Sequence, residues 1–170
     1  MLSALGVLVI SMALADEAPR DLQRGQRYEG GTLVRDAKRG LVFRLPESWA
    51  GRIPHDSEAL LLNAPQQEGV GIVVILGQIT PEQLEERLSE PQDFGGSVLL
   101  QLARPLDQDG VRWKAAYLSG NVIGRALAML GPAQQAVVYF FAGPRAEAQA
   151  YEQLLDELRN STRFDSAATL

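Results

Sequence analysis

A chain of 170 residues, 46% of them apolar, with no cysteine, one histidine and a formal net charge of −5, is long enough to fill one domain core. This inventory excludes disulfide staples, a lipid anchor on an N-terminal cysteine and the usual His/Cys zinc sites. The acidic balance and the 6% aromatic content argue against a nucleic-acid partner and against a stacking platform for sugars or bases.

The chain opens MLSALGVLVISMALADEAP, with no charge before Asp16. The apolar run Leu2 to Leu14 is shorter than the roughly 20 residues a bilayer span needs. It has the length of a signal-peptide core, although no Lys or Arg stands near Met1. Ala13-Leu14-Ala15 supplies a small-x-small cleavage pattern. Residues 1–15 are therefore expected to be a signal peptide, leaving Asp16 as the new N-terminus. The mature chain is expected to be periplasmic or secreted, without a stable membrane span. Residues 16–29 are polar and aperiodic and read as a mobile arm.

From Gly30 the pattern turns to short apolar runs. Thr32 to Arg35 and Leu41 to Leu45 flank DAKRG, a predicted hairpin loop ending in Gly40. Leu41, Phe43 and Leu45 alternate with Val42 and Arg44, and Pro46 stops the strand. Further strands are predicted at Glu58 to Leu62 and Val70 to Gln78. The second, VGIVVILGQ, is apolar on both faces and should be a central strand covered on both sides. TPEQLEERLSE then changes period. Thr80 is an N-cap, Pro81 suits the first helical position, Gln83 completes a capping box, and Leu84 and Leu88 face inward. Four strands follow at Ser97 to Ala103, Val111 to Leu118, Val122 to Leu130 and Ala136 to Phe141. The short turns DQDG, SGN and GPAQ join them and make them antiparallel neighbours. Pro144 opens a last helix with Tyr151, Leu154, Leu155 and Leu158 on one stripe, ending at Asn160. The expected class is α+β: a single antiparallel sheet packed with two main helices over residues 30–164, with a tail at 165–170.

Three stretches carry a resemblance. GLVFRLPESWAG at 40–51, the strand VVYFFAG before a proline-opened helix, and the ending LRNSTRF are similar to packing motifs of the PsbP-like fold. Extrinsic photosystem II proteins, Ran-binding Mog proteins and bacterial periplasmic proteins of the DcrB type share that α/β/α sandwich. The resemblance implies no catalytic residues to carry over and no cofactor. It implies an exported bacterial member with a non-enzymatic accessory or binding role, working on a protein partner in the cell envelope.

The remaining motifs point the same way. His55 in GRIPHDSE has Asp56 and Ser57 as neighbours, but a catalytic triad is assembled across a fold, so His55 reads as a loop residue. Asp107 and Asp109 in LDQDG imitate the start of a calcium loop. The later oxygen ligands are missing, so a turn is expected. Gly69, Gly71 and Gly77 precede no G-K-[ST]. Trp49 and Trp113 read as core or rim residues. No catalytic, cofactor-binding or metal residues are expected. The candidate partner-binding patch is Arg44, Arg112, Lys114 and Arg125. Arg112 and Lys114 share one sheet face, Arg125 lies on the next strand, and together they would suit a carboxylate or an acidic partner. The functional expectation is an accessory protein binding through its sheet or an edge. The alternatives are an immunity protein that blocks a secreted toxin, and an apolar-ligand carrier with a pocket lined by residues such as Phe140 and Leu155.

Overall fold

Alternating apolar positions organise most of this chain, and two short helices interrupt them. The computed structural model describes residues 17–94 and 98–165. The expected signal peptide, its cleavage site, the start of the strand at Ser97 and most of the C-terminal tail lie outside the described residues. In chain order the elements are β1 (Arg20–Asp21), β2 (Arg27–Tyr28), β3 (Leu33–Asp36), β4 (Leu41–Arg44), β5 (Ala50–Arg52), β6 (Leu60–Asn63) and β7 (Val70–Leu76). Helix α1 (Pro81–Ser89) follows, then β8 (Gln92–Asp93), β9 (Leu99–Leu102), β10 (Asp107–Asp109), β11 (Arg112–Ser119), β12 (Val122–Leu130) and β13 (Ala136–Pro144). A 3₁₀ turn at Arg145–Glu147 leads into α2 (Ala148–Ser161) and β14 (Arg163–Phe164).

The strands form two sheets rather than the single sheet expected. The larger has ten strands, in the order β2-β5-β6-β7-β13-β12-β11-β9-β8, with β10 paired to β11. The smaller runs β1-β3-β4-β14. Pro46 is the reason for the division. It ends β4, and the Trp49 N–H closes a turn onto the Pro46 carbonyl at 2.9 Å, so β5 enters the other sheet. All pairings are antiparallel except β1 with β3.

Helix α1 covers one face of the large sheet, and α2 with the small sheet covers the other. Thr80 makes the expected capping box with Gln83, and Leu84 and Leu88 are buried. On the α1 face they meet Trp113, Ala115, Tyr117, Ala128 and Phe140. On the α2 face the stripe Tyr151, Leu154, Leu155 and Leu158 packs with Phe43, Leu60, Val73, Tyr139 and Phe141. Edge-on rings, Phe43 on Tyr139 at 5.4 Å and Trp49 on Phe141 at 5.0 Å, lock the layers together.

The polar stretch before Gly30 is not free of the domain. Tyr28 is fully buried, its hydroxyl donates to the Asp21 carbonyl at 2.8 Å, and it accepts the Gln23 N–H at 2.7 Å. One aromatic anchor and these backbone partners hold β1 and β2 in place, which corrects the mobile arm for residues 20–28. The last helix also starts later than Pro144, because that proline still belongs to β13. The turn expected at DQDG moves along by two residues. Asp107 to Asp109 are strand, and Gly110, at φ 61°, makes the reversal.

Candidate functional site

The register of the large sheet sorts its side chains by face. Cross-strand partners run Arg27–Arg52, Arg52–Leu61, Leu61–Ile72 and Ile72–Phe140 along one row, all on the α1 face. Val70 pairs with Ala142 in the next row. Helix α1 has nine residues. It is thus about 13 Å long and 10 Å across, enough to cover two or three strands at ~4.8 Å spacing. It lies over β11 to β13, and among the described residues nothing covers the Arg52, Leu61 and Val70 part of β5 to β7.

The uncovered half is a groove of about 690 Å³. Leu61, Val70 and Ile72 form its floor, Phe94 one wall, and the loop Pro54–Asp56 the other. Phe94 is positioned by stacking on Phe140, with centroids 4.8 Å apart. Leu61 and Val70 are 43% and 46% exposed, although strand residues of this kind are normally buried. The expectation of cover on both sides of β7 is therefore corrected. Its residues are apolar on both faces, but on the α1 face Val70 stays nearly half exposed and Ile72 only partly buried, whereas Val73 on the α2 face is buried.

The polar groups of the groove are few. Arg52, Asp56 and Asn63 line it, and none of these side chains has a hydrogen bond or ion pair among the described residues. His55 is exposed on the rim, with its ring against Gly25. Ser57 does not face it as a nucleophile would, since its Oγ accepts the Ala59 N–H at 3.0 Å in a turn. Behind Phe94 the α1 side is packed with buried apolar residues. There the Tyr117 hydroxyl donates to the Leu88 carbonyl at 2.5 Å, and burial pushes its pKa up to about 12.

Arg112, Lys114 and Arg125 share a face as expected, but it is the face that α2 occupies. Lys114 Nζ lies 3.5 Å from Asp156 Oδ1, and Arg125 Nε lies 3.1 Å from Glu152 Oε1. These carboxylates stand one helical turn apart on α2, so both cations clamp helix to sheet. Arg112 is exposed at the outer end of that face. Arg44 belongs to the small sheet, where its guanidinium meets Glu17 at 2.7 Å and the Gly31 carbonyl at 2.6 Å. The four do not assemble into one open patch. Trp49 and Trp113 are core, with Nε1 of each satisfied by Gln67 at 2.7 Å and Glu85 at 3.0 Å. Phe140 and Leu155 lie on opposite faces of the sheet, both buried, so the pocket expected between them does not exist.

Sequence reasoning missed the groove itself. Its signal was present in Leu61, Val70 and Ile72, apolar residues on a face that no second helix among the described residues covers.

No protein-family profile and no curated protein matches this sequence. Among solved structures, the chain is similar to cyanobacterial PsbP (CyanoP) of Synechocystis sp. PCC 6803. The TM-score is 0.55 at 15% identity, covering 82% of this chain and 92% of that one. It is also similar to the Ran-binding protein Mog1p of Saccharomyces cerevisiae. Here the TM-score is 0.52 at 12% identity, covering 84% of this chain and all of that one. The fold is PsbP-like, as the motifs at 40–51 and 137–164 implied. No helix among the described residues is long and apolar enough to cross a membrane.

Proposed function

We propose that this protein is an exported, non-enzymatic accessory protein that binds a protein partner in the cell envelope through the open β5–β7 face. One observation carries the reading: two large apolar side chains, Leu61 and Val70, stand nearly half exposed in a groove on an otherwise well-filled sheet. Apolar surface left uncovered in this way marks interaction sites. Among the described residues the groove offers no nucleophile with a base beside it, which favours binding over turnover. The yeast protein of the same fold is a Ran-binding protein, so the scaffold is compatible with protein recognition. The export part of the reading rests on the apolar opening segment and its Ala13-Leu14-Ala15 site.

The test is a crosslinked pull-down of the tagged protein from the cell envelope, run beside the Leu61→Glu variant, with the N-terminus sequenced. One stoichiometric partner, lost in Leu61→Glu, and a mature chain starting at Asp16 are expected. Leu61 is exposed, so this variant is expected to keep its fold, which circular dichroism checks. Equal recovery by both proteins overturns the groove as the binding face. Detection of intact Met1 on cytosolic protein overturns export. Turnover that substitution of His55 or Asp56 abolishes overturns the non-enzymatic role.

A further inference from the structure

The chemistry of the groove goes further than apolar contact, and the step that follows rests on the binding reading above. Arg27 and Arg52 are direct cross-strand partners on β2 and β5. Like charges placed so close repel unless anions answer them. Glu29 answers Arg27 at 3.0 Å. Nothing among the described residues answers Arg52, which sits at one end of the apolar floor. Asp56, in the loop that follows β5 and faces the Phe94 wall, is a carboxylate without a donor, and Asn63 offers an unused amide beside Val70. The groove therefore presents an apolar floor with one free cation, one free anion and one free amide.

A fatty-acid-like ligand satisfies only part of that set. Its carboxylate would meet Arg52 and its chain the floor, but it has no N–H for Asp56. A peptide supplies all three kinds of group at once. Its backbone N–H groups suit Asp56, its carbonyls suit the Asn63 amide, and an acidic side chain or C-terminal carboxylate suits the Arg52 fork. The volume of about 690 Å³ lies in the range of built ligand sites and holds a few side chains, not a whole domain. We infer that the groove takes an extended, apolar peptide segment of the partner, with a carboxylate at the Arg52 end and its backbone against Asp56 and Asn63.

Peptide-phage selection on the immobilised chain, followed by fluorescence anisotropy with the enriched peptide, tests this. Enriched sequences are expected to combine apolar residues with Asp, Glu or a free C-terminus. Arg52→Glu is expected to weaken the selected peptide about tenfold or more, as loss of an interfacial charge contact does. A peptide whose acid is replaced by lysine is expected to regain affinity for Arg52→Glu and lose it for the unaltered protein. Peptides that carry no carboxylate, or that bind Arg52→Glu unchanged, overturn the inference. So does failure to enrich any peptide, and so does oleate that binds in the groove where no peptide does. In each of these cases an envelope partner that still depends on Leu61 leaves the binding reading standing. A partner indifferent to Leu61→Glu removes both.

Discussion

Phe141→Ala probes whether the two layers behind the groove are a rigid support. Phe141 is fully buried on the α2 face, edge-on to Trp49 at 5.0 Å and stacked over Tyr151 at 5.9 Å. Removing the ring returns on the order of 100 Å² of apolar surface, about 2.5 kcal/mol at ~25 cal/mol per Å². The lost contact with Trp49 adds about 1 kcal/mol. A residual cavity of ~40 Å³ adds roughly 1 kcal/mol more. The expected loss is therefore about 4.5 kcal/mol, a large share of the ~5–15 kcal/mol a domain of this size has. Urea unfolding followed by tryptophan fluorescence reads it, because Trp49 reports from the contact itself. The midpoint should fall with the slope unchanged. A loss below about 1.5 kcal/mol would show that the surrounding layers collapse into the space, and the rigid-floor argument would fail. The companion variant is Phe94→Ala. Its ring is half-buried on the groove wall, so a loss under about 1.5 kcal/mol is expected. If it equals the Phe141 loss, Phe94 is core and the groove is not open.

Gly69→Ala should destabilise the fold by roughly 2–4 kcal/mol, since φ is +115° there and a Cβ would strike the Tyr151 hydroxyl. Retained stability in a thermal melt would refute the close packing of α2 on β7. Thr80→Ala removes the capping box of α1 and should cost about 1 kcal/mol. Amide exchange should speed up in α1 before the sheet, and a uniform change across the chain would count against a local cap. Stability should fall at high pH. Burial raises the Tyr117 and Tyr151 pKa values to about 12 and raises that of Tyr139 as well, from an ordinary value near 10. The folded state thus favours the neutral phenols. Their contribution is complete below pH 10 and is lost as pH rises toward 12. A urea midpoint that stays flat from pH 8 to 12 would refute this.

Legibility followed the range of the interaction involved. The capping box at Thr80 and the stripe from Tyr151 to Leu158 each depend on residues within one or two helical turns, so spacing alone located them. Lys114 and Arg125 were placed on one face correctly. Their carboxylate partners lie some 27 to 42 residues away on α2, and no local pattern couples the two segments. Tyr28 gave no periodic signal, because a single buried ring with backbone partners has no repeat to detect.

By itself the sequence determined the two helices, the longer strands, the PsbP-like packing motifs and the apolar character of both faces of β7. Tertiary structure decided the division into two sheets, the pairing of the basic residues with α2, and which apolar face stays open. The reason is that periodicity specifies which faces avoid water, whereas covering them depends on how much helix the fold can place there. A nine-residue α1 spans only part of a ten-stranded sheet, and the remainder is the groove.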